Sequence, residues 1–83
     1  MRMPEHIVWR KIDDIVFIID PLNEKIHELN ETASIVFGMV IKNKKTNEIV
    51  KRILKEYDVD EKECREDVLN IMAELKNKGV LNE

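Results

Sequence analysis

Hydrophobic and polar positions follow two periods along this chain, first the period of strands and then that of helices. Apolar residues within 7–12 lead to a polar Asp13-Asp14 pair, and residues 15–19 are an uninterrupted run of Ile, Val and Phe. A polar turn and a short segment, 26–29, come next. Short apolar runs bounded by turn residues are typical of strands in hairpins. The first third of the chain is therefore predicted to form three strands.

The second of these runs is apolar on both of its faces. As a strand it turns Ile15, Phe17 and Ile19 to one face, and the valine and isoleucine between them to the other. Three helices cannot easily cover both sides of a small sheet. We therefore expect part of this surface to be covered by the N-terminal segment, a second copy or a ligand chain.

The apolar spacing changes to a helical one after Leu29. Asn30 is placed to cap a first helix, and apolar residues surround most of the circumference of 32–41, which predicts a central buried helix. After the polar break at 42–45, Thr46 or Asn47 is expected to cap a second, amphipathic helix of about three turns.

The last predicted helix carries a wide apolar arc. It is expected to run from about Glu61 to Lys78, with Gly79 in the C′ position. Cys64 is read as a small core residue within its apolar stripe. Leu69 and Met72 extend that stripe, and they are either ordinary core residues or the lining of a groove beside the sheet.

These elements predict the fold class α+β. The arrangement is a winged helix-turn-helix-like one, in which a three-stranded antiparallel sheet is followed by three helices, and residues 1–83 form a single domain. A net charge of -3 and a pI near 5.4 argue against general affinity for nucleic acid or anionic membranes. A single cysteine excludes an internal disulfide, and no apolar run has the length of a membrane span or a secretory signal. We expect a cytoplasmic protein.

Residues that carry chemistry are scarce. The chain has two histidines and one cysteine, with no HExxH, no Gly-rich phosphate loop and no GxSxG. This composition predicts that the protein is not an enzyme and has neither a metal site nor a cofactor. His6 and His27 are interpreted as surface histidines, and the acidic residues at 61–67 as charges that suit a helix N-terminus.

DNA binding is a second possible function, because winged-helix transcription factors have the same order of strands and helices and place one helix in a groove of the DNA. The last helix, however, opens with more acidic than basic residues, which phosphates would repel. A third possibility is a small subunit whose exposed apolar sheet docks onto an enzyme.

Several short motifs are spread over nearly all of the sequence after Ile7. They are Asp20-Pro21, Ile26-His-Glu-Leu29-Asn30-x-Thr32-Ala33, Val36-Phe37, Glu56-Tyr57-Asp-Val-Asp60 and Asp67-Val-Leu…Leu75-x-x-x-Gly79-Val-Leu81. Together these segments resemble the PqqD-like family, and the most specific of them is the LNxTA motif directly after the second hairpin. Two positions depart from the family pattern. Residues 42–45 lack the glycine that is common between the first two helices, and Phe37 stands where tryptophan is frequent.

The resemblance implies a non-catalytic adaptor. Members of the family resemble the recognition elements that hold the leader segment of a ribosomally made precursor peptide. They present it to a modifying enzyme such as a radical SAM enzyme or a leader peptidase. Here the leader is expected to pair with 26–29 as a fourth strand and to insert side chains between the sheet and the last helix. The predicted peptide-binding residues are Ile26, His27, Glu28, Leu29, Arg65, Val68, Leu69, Met72 and Lys76. A monomer and a homodimer are both compatible with the sequence.

Overall fold

Three antiparallel strands come first in the chain and three helices follow. A computed structural model describes residues 2–82. The elements are β1 Val8–Ile12, β2 Ile15–Asp20, β3 Lys25–Glu28, α1 Glu31–Ile41, α2 Thr46–Glu56 and α3 Glu61–Asn77. This order confirms the α+β fold class expected from the sequence. None of the helices within 2–82 has the length and apolar content needed to span a membrane.

The sheet has β2 at its centre, with β1 on one side and β3 on the other. Ile12 pairs with Ile15, so the first turn contains only Asp13 and Asp14. Asp13 has a φ of 55°, a left-handed conformation that Asp tolerates better than most residues. Because the strand order is β1-β2-β3, the outer edge of β3 pairs with no other strand in the described part of the chain.

The helices cover one face of this sheet. Val16 and Ile18 are buried on the covered face, whereas Ile15, Phe17 and Ile19 on the opposite face are only half-buried. The sequence correctly indicated that β2 is apolar on both sides. The three helices leave one side without cover.

Helix α1 is fixed to the sheet by its first turn. The Asn30 side chain accepts a hydrogen bond from the Ala33 amide at 2.8 Å, which confirms the predicted cap. The Ser34 hydroxyl accepts from the Val16 amide of β2, also at 2.8 Å. Phe37 is fully buried, so α1 is the central helix of the core.

The connection after α1 turns without glycine. Asn43 takes a φ of 64°, and the Lys44 amide donates to the Met39 carbonyl at 3.0 Å. This is the Schellman arrangement, in which Asn is the usual substitute for Gly. Gly79 has a φ of 75° in the same position after α3, as predicted, and the Val80 amide donates back into the last turn of that helix.

The predicted cap of α2 was wrong. Lys45 is the N-cap, and its amide donates to the Glu48 carboxylate at 3.1 Å. A glutamate at the third helical position can reach back to the cap residue in this way. Thr46 and Asn47 are therefore not needed as caps, and their side chains contact α3 instead.

Candidate functional site

The outer edge of β3 presents main-chain groups that the sheet does not use. The Leu29 amide donates to the Val16 carbonyl at 2.9 Å, and His27 lies opposite Ile18. In an antiparallel pair, the N–H and C=O of alternate residues point to the same side. His27 and Leu29 thus turn their main chain towards β2, whereas Ile26 and Glu28 turn theirs outward.

No group within residues 2–82 pairs with these outward amides and carbonyls. Ile26 and Glu28 each offer one N–H donor and one C=O acceptor along the edge. Exposed strand edges of this kind are templates for pairing with another chain.

The side chains of β3 alternate between the two faces of the sheet. Ile26 is 71% exposed and lies beside Ile19 on the uncovered face, where Glu28 is also exposed. His27 and Leu29 point towards the helices, and Leu29 is buried in the core. Ile26 and Glu28 therefore offer their main chain at the outer edge of the sheet, while their side chains lie on the face away from the helices.

A polar cluster lies beneath the turn that joins β2 to β3. Asp20 is only 1% exposed, and its carboxylate accepts from the Asn23 side chain at 2.8 Å and from the Asn23 amide at 3.2 Å. His6 Nε2 lies 3.4 Å from the same carboxylate. The side-chain hydrogen bond from Asn23 lowers the pKa of Asp20 below its usual value, and the nearby histidines act in the same direction.

The expectation that both histidines lie on the surface was wrong for His27. The His6 side chain stays 32% exposed beside Asp20, in a segment whose Arg2 pairs with Asn82. His27 is half-buried on the helix side of β3, and its Nε2 has no hydrogen-bond partner in the described chain. A sealed ring nitrogen of this kind is costly unless a partner group reaches it.

One flank of α3 lies beside the N-terminus of α2. Arg65 Nη1 donates to Asn47 Oδ1 at 2.7 Å, and the Thr46 hydroxyl lies 4.0 Å from the Met72 sulfur. Helical spacing places two further residues of the predicted site, Leu69 and Lys76, on the same side. We call this set the α2-side flank: Arg65, Leu69, Met72 and Lys76. Leu69 is 50% exposed, and Lys76 is half-buried.

The buried stripe of α3 separates this flank from a second one. The sequence placed Val68 in the groove, but its side chain is fully buried within this stripe. Cys64 is buried in the same stripe, and this burial raises the pKa of its thiol. Asp67, Ile71 and Glu74 follow one another at helical spacing on the other side, and we call them the open flank. Ile71 is half-buried, and the two acidic residues are exposed.

No Cα atom of α3 lies within 8 Å of a Cα atom of β3, and we call the space between these two elements the gap. The sequence prediction favoured the α2-side flank because Leu69 and Met72 lengthen the apolar arc on that side. Only the crossing of α2 over α3 distinguishes the two flanks, and no local pattern encodes that crossing.

A cavity of about 250 Å³ lies elsewhere, near the β1–β2 turn. It is lined by charged residues that include Lys11, Glu31 and Arg52. None of the predicted peptide-binding residues lines it. Within residues 2–82, no group of three or more His, Cys, Asp or Glu side chains is arranged to hold a metal ion.

Comparisons with known proteins place the fold. The family model described as coenzyme PQQ synthesis protein D (PqqD) matches residues 16–81. A solved structure described as TbiB1 in complex with the TbiA(beta) leader peptide has a TM-score of 0.89 and 27% sequence identity, and the match covers 99% of this chain and 95% of that one. A lasso peptide synthetase B1 complexed with its leader peptide has a TM-score of 0.91 and 18% identity over 99% and 96% of the two chains, which shows likeness of fold alone. No curated protein was found to be similar in sequence. The family match spans most of the chain and both structures share its whole fold, so this protein belongs to the PqqD family.

Proposed function

We propose that this protein is a non-catalytic adaptor that binds the leader segment of a ribosomally synthesised precursor peptide by strand addition to β3. The observation that carries the proposal is the outward-facing main chain of Ile26 and Glu28 at an unpaired sheet edge. The similarity to TbiB1, which was solved with a leader peptide, supports it.

The peptide lies beside β3 as a fourth strand. Its main chain pairs with the N–H and C=O groups of Ile26 and Glu28, and its side chains alternate between the two faces of the extended sheet. Those on the helix side enter the gap between β3 and α3. We place these side chains against the open flank of α3, because the α2-side flank is next to α2.

The chemistry of the gap suggests what the peptide carries. His27 Nε2 is buried and lacks a partner within the described chain, so a rotation of this side chain that exposes Nε2 would let a hydroxyl or amide of the peptide pair with it. The wall formed by α3 has a half-buried Ile71 between exposed Asp67 and Glu74. It suits an apolar anchor next to a basic residue. The peptide-binding role that the sequence predicted for the α2-side flank stays a prediction, and variants at Asp67 and Leu69 test the two flanks against each other.

The expected affinity follows from these contacts. Four main-chain hydrogen bonds contribute about 1 kcal/mol each, and two or three apolar anchors contribute about 1.5–3 kcal/mol each. Ordering a flexible peptide costs about 2–5 kcal/mol. The balance corresponds to a dissociation constant near the micromolar range, about -8 kcal/mol. An adaptor must also release its peptide, and micromolar binding permits this.

The partner that receives the peptide is an enzyme of the modification pathway, such as a radical SAM enzyme or a leader peptidase. An adaptor of this kind supplies affinity for the leader and leaves the chemistry to that enzyme. It raises the local concentration of the precursor at the enzyme.

Titration of a labelled peptide tests the proposal. The probe is a synthetic peptide that covers the N-terminal half of a short precursor sought among the genes beside this one, and the competing probe is a DNA duplex. We expect micromolar peptide binding that changes little between low and moderate salt. Duplex binding that is lost as salt rises would instead favour a winged-helix transcription factor.

A further inference from the structure

The face of the sheet that the helices leave uncovered is apolar at its centre. Its most exposed apolar side chains are Val8, Ile12 and Ile26, at 49%, 59% and 71%. Half-buried apolar residues of β2 lie between them: Ile15, Phe17 and Ile19. A continuous apolar patch of this kind on a small protein indicates an interaction surface.

One row across this face carries two opposite charges. The strand register places Arg10 of β1, Phe17 of β2 and Glu28 of β3 side by side. Neighbouring strands are about 4.8 Å apart, so the backbones of Arg10 and Glu28 are separated by about 10 Å. Neither residue forms an ion pair within residues 2–82. The face therefore presents a cation at one edge and an anion at the other, with an aromatic ring between them.

We propose that this face binds a second copy of the same chain, through a two-fold axis that runs parallel to β2 above Phe17. Such an axis exchanges the β1 and β3 sides, so Arg10 lies against Glu28 of the partner subunit and Glu28 against the partner's Arg10. In the row above, Val8 lies over Ile26 of the partner subunit. The two copies pack as a pair of aligned sheets about 10 Å apart.

The charges select this arrangement over its alternative. A two-fold axis perpendicular to the strands also brings the two faces together, but it places Arg10 on the partner's Arg10 and Glu28 on the partner's Glu28. Like charges in contact across an interface oppose association. Of these two axes, only the one parallel to β2 brings each Arg10 against a Glu28 and so forms two ion pairs.

The size of the face predicts a weak dimer. Three strands of about five residues cover roughly 14 by 17 Å, well below the ~800 Å² per partner of a standard interface. We therefore expect association only at high protein concentration. The outer edge of β3 stays open in the dimer, so dimer formation and peptide binding use different surfaces and are tested separately.

Sedimentation velocity on the purified full chain, from about 10 μM to about 1 mM, tests the proposal without any peptide. We expect a monomer at the lowest concentration and a growing dimer fraction above it. The variant Arg10→Glu places like charges together, and we expect it to raise the dimer dissociation constant at least about tenfold. The double variant Arg10→Glu, Glu28→Arg restores opposite charges in reversed order and should recover the dimer.

Thermal unfolding of each variant checks that the domain is intact. We expect an unchanged Tm, because both side chains are exposed. Arg10→Glu should also leave leader affinity unchanged, since β1 is at the opposite edge of the sheet from the β3 binding edge. A wild-type protein that stays monomeric at every concentration would overturn the proposal and assign this face to another partner, such as the modifying enzyme. A dimer that Arg10→Glu does not weaken would overturn it as well, because that dimer forms through another surface.

Discussion

Replacing Ile26 by proline removes one outward-facing donor from β3 and leaves the rest of the sheet in place. The Ile26 amide points away from β2, so no ladder hydrogen bond is lost. Proline is tolerated on an edge strand when its nitrogen faces solvent. The side chain is 71% exposed, so little buried surface is lost. We expect the free energy of unfolding to fall by less than about 1 kcal/mol.

The effect on peptide binding should be much larger. The leader loses one hydrogen bond, and its carbonyl oxygen is left without a donor at the interface, which costs about 1–3 kcal/mol. That cost corresponds to a dissociation constant raised about 5- to 150-fold. The proline ring also occupies the space where the fourth strand approaches, which moves the expected value towards the upper end.

Fluorescence anisotropy with a labelled leader peptide measures this change, and thermal unfolding checks the fold. Ile26→Val keeps the amide and should bind like the wild type. His27→Pro is the matched control, because the His27 amide faces β2 and its loss should lower the Tm. A folded Ile26→Pro protein with wild-type affinity would refute strand addition at this edge.

Three further outcomes are expected. Asp67→Arg on the open flank should weaken leader binding at least about fivefold in the same assay. Leu69→Asp on the α2-side flank should keep the dissociation constant within about twofold of the wild-type value. The reverse result would show that the peptide binds against the α2-side flank. The hydrogen bond to Glu31 raises the pKa of Tyr57, the single tyrosine, to about 12. Glu31→Gln should bring it back towards 10.0 in a spectrophotometric titration, and an unchanged titration would show that this bond is absent in solution. Because the folded pKa is the higher one, the stability from this bond is present below pH 10 and is lost as the pH rises towards 12. Phe37→Ala should cost about 3–5 kcal/mol of unfolding free energy by chemical denaturation, and a loss below about 1 kcal/mol would show that Phe37 is not a core residue.

Features that are encoded over a few residues could be predicted from the sequence. Asn30 caps α1, as its side chain and position indicated, and Asp60 caps α3 through the same kind of local contact. The Asp13-Asp14 pair forms the turn between β1 and β2, and Gly79 ends α3 with a positive φ. Each of these signals acts between residues at most a few positions apart, so no knowledge of the tertiary fold was required.

Features that depend on how elements cross could not be predicted. The apolar arc of α3 extends to Leu69 and Met72, but the contact of Thr46 with Met72 places α2 on that side. The position of His6 depends likewise on a distant contact, since Asp20 holds it across 14 positions of sequence. Such placements are set by packing between elements and not by local propensity.

The most direct test of the account is hydrogen exchange of individual β3 amides, followed by NMR with and without the leader peptide. In the free protein, the His27 and Leu29 amides should exchange slowly because they face β2, whereas those of Ile26 and Glu28 should exchange rapidly. Saturating peptide should protect Ile26 and Glu28 selectively. If the peptide binds while these two amides keep exchanging rapidly, the leader does not pair with β3, and the central claim is wrong.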